Sequence, residues 1–287
     1  MRITALLLCA FISAAQAQDI EFKSTEVAKG VYLLDAVEGF GGGNVALLTG
    51  DEYIVLVDDA MGPTVAALIE AASAVAGRPV DFVINTHVHG DHVGGNQYVA
   101  ENGALIVAHD NIRKRMKGDP DLDTGPGALP VITFSDAVTF HVNGQAAHVF
   151  HVENAHTDGD GALLLKDRNV IIAGDVFFHK LFPFIDIDNG GTLDGFIAGQ
   201  QLLLSMADDA TKIVPGHGSL AGKADLAADL AMLVDAKERV KALIDKGMDA
   251  EAIVAANPLA DYHDQYNWGF ITTERMTRTL IRSLTTD

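Results

Sequence analysis

The stretch Thr86-His87-Val88-His89-Gly90-Asp91-His92 sets three imidazoles and a carboxylate within six residues, directly after the apolar run Val80-Asp81-Phe82-Val83-Ile84-Asn85. In an extended segment His87 and His89 project to one side, because strand side chains alternate with a period of two. A bend near Gly90 lets Asp91 and His92 point back toward the same place. Neutral imidazole and carboxylate are ligands that zinc accepts, and no cysteine stands nearby to compete. The bland alternative is a chance group of surface histidines.

Three further residues gain meaning from the first group. His156 lies in Glu153-Asn154-Ala155-His156-Thr157-Asp158-Gly159-Asp160, between two expected strands. Asp175 follows the apolar run Val170-Ile171-Ile172-Ala173-Gly174, and His217 follows Ile213-Val214 in Pro215-Gly216-His217-Gly218. Each is a polar residue beside glycine at an expected strand end, and strand ends converging at one sheet edge would gather them in space. Taken singly they say little, since Asp after Gly is most often a turn residue. Together with the first group they supply enough ligands for two metal ions.

The set His87-x-His89-x-Asp91-His92, then His156, Asp175 and His217, resembles the full ligand pattern of the metallo-β-lactamase superfamily, in order and spacing, over roughly residues 20–220. The resemblance implies an α/β fold, a four-layer αββα sandwich. It also implies one zinc held by His87, His89 and His156, a second held by Asp91, His92 and His217, and Asp175 bridging both. His89 stands where flavin-diiron members carry an acidic residue, which favours hydrolysis over redox chemistry. Asp175 stands where many class B β-lactamases carry Cys; here the chain resembles glyoxalase II and the lactonases, which counts against efficient β-lactam hydrolysis. Nucleases of the superfamily add a domain for which this chain has neither room nor charge.

A two-metal site of this kind makes hydroxide available near neutral pH for attack on a carbonyl, with Asp91 the catalytic carboxylate among the ligands. No nucleophilic Ser or Cys is then required. Carboxylates commonly orient ligand imidazoles from behind, and Asp58, Asp59, Asp158 and Asp160 stand near the right strand ends, though each is equally a turn residue. Substrate contacts are expected from the run Val176-Phe177-Phe178-His179-Lys180-Leu181-Phe182-Pro183-Phe184: Phe178 as a pocket wall, and His179 and Lys180 toward a substrate carboxylate. Asn189 is a candidate for polarising a carbonyl. Against this, the phenylalanines could simply pack beneath the C-terminal helices. His109, His141, His148, His151 and His263 are assigned to ordinary surface or core positions.

The elements that must position these residues read as strands over 20–58, with a Gly-rich loop Glu38–Gly43 that is either a flap or a turn. A helix follows over Thr64–Ala76 with Pro63 at its start, then the strand 80–85, a short helix Gln97–Glu101, a strand Ala104–Ala108 and a helix Asp110–Lys117. Strand-like pieces return at 131–133, 137–142, 146–152, 161–166 and 170–173, then a helix Thr192–Met206, the strand Lys212–Val214, and helices Ala224–Lys246 and Ile271–Leu284. The order repeats as two α/β halves, which suggests packed sheets with helices outside.

Arg2, the apolar run Ile3–Ile12 and Ala15-Gln16-Ala17 read as a secretory signal peptide over residues 1–17. The rest, 18–287, reads as a single domain with C-terminal helices 222–287 packed on it. The one cysteine, Cys9, lies in the apolar run, so the mature chain has none and forms no disulfide. Loss of Arg2 leaves 19 basic against 39 acidic residues, a net charge of −20. Such a surface repels nucleic acid and anionic lipid, so neither nucleic acid nor membrane is an expected partner. A small-molecule substrate is expected, and the sequence sets no oligomeric state.

These readings converge on a periplasmic or secreted hydrolase with two zinc ions, iron or manganese accepting the same donors. Its target is an ester, thioester, lactone or lactam, with at most weak β-lactamase activity. Glutathione thioesters are chiefly cytosolic, so export disfavours the glyoxalase II role. The alternative is a non-catalytic periplasmic zinc-binding protein, which needs the ligands but no pocket.

Overall fold

The computed structural model describes residues 20–122 and 125–285. The expected signal peptide lies outside the described residues. The first sheet runs β1 (Phe22–Ala28), β2 (Val31–Ala36), β3 (Val45–Leu48), β4 (Val55–Val57), then helix α1 (Val65–Ala76) and β5 (Phe82–Ile84). It continues through helices α2 (Gly90–Val93) and α3 (Asn96–Glu101) to β6 (Leu105–His109), α4 (Asp110–Met116) and β7 (Ile132–Phe134). Its spatial order follows the sequence, antiparallel up to β4 and parallel from β4 to β7. The second sheet holds β8 (Ala137–Val142), β9 (Gln145–His151), β10 (Gly161–Leu165), β11 (Val170–Phe178), β12 (Lys212–His217) and β13 (Ala221–Gly222), with β11 and β12 parallel. Helix α5 (Leu193–Met206) precedes β12, and α6 (Lys223–Asp245), α7 (Ala250–Ala256), α8 (His263–Tyr266) and α9 (Thr273–Thr285) follow β13.

Alternation along the strands builds the layers. Val31, Leu33, Ala46, Leu48, Val55 and Val57 point inward and meet Val149, Leu163, Leu165, Val170 and Ile172 of the second sheet. Their neighbours Leu34, Val45, Leu47 and Leu56 point the other way and bury Val65, Leu68 and Ala72 of α1. On the far face of the second sheet, Ala162, Ile171, Ala173 and Ile213 pack against Leu203 of α5 and Leu226 of α6. A strand apolar on both faces thus serves two cores at once, and the result is the expected αββα sandwich. The C-terminal helices share a further cluster with Phe178, Phe182, Ile185 and Phe196. Among the described residues no helix is long and apolar enough to cross a membrane.

One element differs from expectation in a way that matters. The strand expected at 170–173 runs on to Phe178, so Asp175 sits within it and not at its end. Val176, Phe177 and Phe178 are fully buried and extend the strand. Asp175 is still turned to the site because the pairing with β12 slips on either side of Gly174. Gly174 itself sits at φ +50, where a side chain would strike Thr86 at 2.7 Å.

Candidate metal centre and its cavity

The parallel pairs β4–β5 and β11–β12 end on the same side, and the loops leaving them carry the expected ligands. Binding crevices in sheets of this kind lie beyond the carboxyl ends of parallel strands. His87 leaves β5; His89 caps α2, whose first turns carry Asp91 and His92. His156 comes from the turn between β9 and β10, and His217 closes β12. All seven converge in two groups, His87, His89, His156 and Asp175 beside Asp91, His92 and His217, each with its ligand atoms within 4.8 Å of one another.

Asp175 stands between the groups. Its Oδ2 lies 3.6, 3.4 and 3.5 Å from Nε2 of His87, His156 and His217, and its Oδ1 lies 3.2 Å from Nε2 of His92. Asp91 Oδ2 is 3.3 Å from His217 Nε2 and 3.6 Å from His92 Nε2. Glycine makes these approaches possible. A Cβ at Gly43 would lie 2.2 Å from the His92 ring, and one at Gly216 would lie 1.9 Å from Asp175 Oδ1.

The hydrogen bonds behind the rings fix their tautomers. The Thr86 hydroxyl donates to Asp58 Oδ2 at 2.8 Å, so its oxygen accepts from His87 Nδ1–H at 3.0 Å. That leaves His87 Nε2 as a bare lone pair, buried and without a partner. His92 Nδ1–H donates to Asp58 at 2.8 Å, His156 Nδ1–H to the Phe184 carbonyl at 2.7 Å, and His89 Nε2–H to Asp186 at 2.8 Å. His89 Nδ1 and His156 Nε2 therefore face each other at 2.8 Å with no proton committed to either. Inward lone pairs this close repel unless a cation lies among them. The donors are all nitrogen and oxygen, a set that suits zinc, iron or manganese, and the residues fit a metal pair.

Electrostatics point the same way. Burial favours neutral rings, and it drives His87 well below its usual pKa and His156 down to about 3. Burial also acts on His92 and His217, but there the neighbouring carboxylates win. Asp175, Asp91 and Asp58 hold His92 well above the usual value, and Asp175 and Asp91 raise His217 to about 9. Burial would raise Asp175, yet His217, His92 and His87 hold it well below the usual range. Asp175 and Asp91 therefore favour positive charge beside them, which protons on His92 and His217 supply and metal ions would supply in their place.

The structure sorts the supporting residues. Asp58 backs His92; its backbone sits at φ +67, a left-handed conformation costly for a non-glycine residue and commonest at functional sites. Asp160 accepts from the backbone N–H groups of His156 and Thr157, so it shapes the His156 turn without touching a ring. Asp59 holds the Gly95 N–H, and Asp158 pairs with Arg115. The carboxylate behind His89 is Asp186, which the sequence reading missed. Its signal is the turn it caps: Asp186 accepts from the backbone N–H of Asn189 and from its side-chain amide.

A cavity of about 730 Å³ opens over the cluster, floored by His89, Asp91, Asp175 and His217. Phe178 and Phe184 line it, and Phe40 brings the Gly-rich loop 38–43 to its edge. His179, Lys180 and Asn189 lie outside its lining. His179 is buried behind the site, where its backbone N–H donates to the His217 carbonyl and its Nδ1–H to the Ser219 carbonyl, bracing the His217 loop. Lys180 is exposed, with its N–H on Asp229. Asn189 is spent on Asp186 and on Arg115, whose Nη1 donates to it at 2.8 Å. Of the remaining histidines, His109 and His151 stack on each other 3.9 Å apart, away from the cluster.

Residues 39–217 match the profile of the metallo-beta-lactamase superfamily. The chain belongs to that superfamily. It is similar to a hydroxyacylglutathione hydrolase from Polaromonas sp., 29% identical over 174 residues that cover 57% of this chain and 61% of the relative. It is also similar to one from Brucella ovis, 25% identical over 240 residues, 75% of this chain and 84% of the relative. The chain spans about half to three fifths of the length of the first curated relatives it matches. Among solved structures it is similar in fold to a metallo-beta-lactamase from Pontibacter korlensis, with a TM-score of 0.63 and 20% identity over 75% of this chain and all of that one. In this superfamily member the cavity draws two of its walls, Trp268 and Phe270, from beyond the matched residues. The sequence reading named neither; a lone tryptophan after a helix gives no periodic signal.

Proposed function

We propose that this chain is an exported binuclear zinc hydrolase that cleaves a carbonyl-containing bond in an ester, thioester, lactone or, weakly, a lactam. His87, His89 and His156 would hold one ion, Asp91, His92 and His217 the other, with Asp175 shared. The observation that carries the catalytic reading is the cavity of about 730 Å³ above the inward lone pairs. A non-catalytic zinc-binding protein needs the ligands but not that space.

Bound there, zinc supplies Lewis acidity to a carbonyl and makes hydroxide available near neutral pH. The chain's own residues do the rest. Asp58 and Asp186 hold the rings of His92 and His89 in register. Asp91 is the partly exposed carboxylate on the cavity floor, its side chain 23% accessible. Burial would raise its pKa, but His92 and the bond to His217 bring it below the usual value. It is therefore ionised at neutral pH, placed to take the proton released on attack and return it to the leaving group. Phe178 and Phe184 keep bulk water from the reacting carbonyl.

The test is turnover of nitrocefin, a small ester and a lactone by the zinc-loaded protein beside His87→Ala. Ester or lactone hydrolysis that vanishes in His87→Ala is expected, with weak nitrocefin turnover at most. Silence on all three with two ions bound per chain overturns the hydrolase and leaves the zinc-binding reading. Rapid nitrocefin turnover places the chain with the β-lactam hydrolases and makes Asp175→Cys the next variant. Export rests on the sequence of residues 1–17. Expression in a bacterial host should give a periplasmic product beginning at Gln18; a cytosolic product retaining Met1 refutes it.

A further inference from the structure

We infer that Trp268 and Phe270, together with Phe184 and Phe40, form a wall that grips an uncharged apolar arm of the substrate, and that the cavity disfavours an anionic peptide arm such as that of glutathione. The inference rests on the hydrolase reading and names the substrate class of that same site. The rings form a continuous surface. Trp268 lies 6.0 Å from the His217 ring and 5.6 Å from Phe270; Phe270 meets Phe184 edge-on at 5.3 Å, and Phe184 stacks on His89 at 5.4 Å. Across the mouth, Phe40 stacks on His217 at 6.0 Å. Phe40 and Phe270 are 54% and 48% exposed, a large share for phenylalanine unless something apolar covers them.

Charge argues in the same direction. Of the acidic groups lining the cavity, Asp91 and Asp175 belong to the floor, where a metal pair would offset their charge; Asp121 stands apart from them, and among the described residues no Lys or Arg joins the lining. Arg275 stands outside this lining: its guanidinium lies over Phe270 at 4.2 Å and Phe184 at 5.2 Å, and Nη1 donates to the Phe270 carbonyl. It is itself exposed and packs on these two rings. A glutathione arm carries two carboxylates and one ammonium, and the described lining offers its carboxylates no basic side chain to pair with, only Asp121. On this inference the chain differs in substrate preference from the relatives named as hydroxyacylglutathione hydrolases.

Two thioesters of phenylacetic acid, one of glutathione and one of N-acetylcysteamine, test the preference directly. The neutral thioester is expected to have the higher kcat/KM by ~10-fold or more. In p-nitrophenyl esters, Phe270→Ala should lower the octanoate-to-acetate ratio of kcat/KM by ~10-fold or more. Preference for the glutathione thioester, or an unchanged ratio in Phe270→Ala, overturns the inference. Absence of turnover on every ester would sink the hydrolase reading instead, and a binding measurement then still decides this one. Trp268 is the only tryptophan, so its fluorescence reports occupancy of the wall. Saturable binding of N-benzylbenzamide, at least ~10-fold tighter than S-benzylglutathione and weakened in Phe270→Ala, supports the wall; equal or tighter binding of S-benzylglutathione refutes it.

Discussion

On the proposed binuclear reading, Gly43→Ala tests whether the inward geometry of His92 is what would hold the second ion. The new Cβ would lie 2.2 Å from His92 Cε1 and 2.3 Å from Nε2. Ordinary contact is about 3.5 Å or more, so backbone and ring must separate by roughly 1 Å. Neither side yields easily. The ring is fully buried and bonded to Asp58 at 2.8 Å, while Asp58 is itself fixed by the Thr86 N–H at 2.7 Å and hydroxyl at 2.8 Å. The Gly43 segment is tied on both sides, its N–H to the Asp91 carbonyl at 3.0 Å and the Asn44 N–H to the Gly216 carbonyl at 2.8 Å. Overpacking of this kind costs about 1–3 kcal/mol, which a domain of this size survives. Metal–ligand distances tolerate only about 0.2 Å, so the second ion is lost before the fold is. Metal content after gel filtration should fall from two ions per chain to one. Activity should drop by ~100-fold, the usual cost of a 1 Å misplacement at a reacting centre. The thermal transition should stay cooperative. A Gly43→Ala protein that keeps two ions, wild-type affinity in a chelator competition and full turnover would refute the reasoning.

Asp186→Ala removes the partner of His89 Nε2, and metal affinity should fall ~10- to 100-fold by chelator competition, with Asp186→Asn recovering part of it; equal affinities in all three proteins would deny Asp186 any positioning role. Asp58→Ala should weaken metal binding by a similar factor, because it frees both His92 and Thr86. Phe196→Ala, at a fully buried ring in the cluster shared with the C-terminal helices, should cost about 3–5 kcal/mol in denaturant unfolding without changing metal content. His109 gives a pH dependence. Burial and the neighbouring His151 hold its pKa below 6.5, its Nε2–H donates to the Ser135 carbonyl, and its Nδ1 accepts the Asn111 N–H. Below pH 6.5 the unfolded chain takes up a proton that the folded one refuses, so stability is lost as pH falls from there toward the folded pKa. The melting temperature of His109→Gln should therefore fall less than that of the wild type between about pH 7.5 and 5.5, and parallel slopes would refute the assignment.

The cluster of candidate ligands was legible because its chemistry is rare and local: imidazoles and carboxylates beside glycine at strand ends have few structural uses in such density. The sandwich was legible through the resemblance that this set carries; the repeated order of strands and helices by itself suggested only packed sheets with helices outside. What escaped the sequence is long-range. Asp186 backs His89 from 97 positions away; the turn it caps marks it as a cap, but not as the partner of a distant ring, while Asp188, two residues on, pairs with Arg282 at the surface. His179, Lys180 and Asn189 sit close to Asp175 or Asp186 in sequence. The direction of the chain after β11, however, sends the first behind the His217 loop, the second to solvent and the third onto Asp186. Proximity in sequence named the right segment, and only packing decided which of its side chains reach the cavity.

The two parts of the site meet at His217. Its ring is a ligand candidate on one edge, yet its faces are covered by Phe178 at 5.2 Å, Phe40 at 6.0 Å and Trp268 at 6.0 Å, from three separate segments. Substrate walls and metal geometry are therefore not independent there, whereas Phe270 touches the wall but no ligand. Trp268→Ala should lower both metal affinity and the octanoate preference, and Phe270→Ala only the preference. Trp268→Ala combined with Phe40→Ala should lose a different amount of metal affinity from the sum of the two single losses, because both rings brace the same imidazole. Coupling of at least ~0.5 kcal/mol is expected for residues sharing a partner. Strict additivity would mean that His217 is held from behind by the His179 and Asn44 contacts alone, and that the aromatic wall serves the substrate and nothing else.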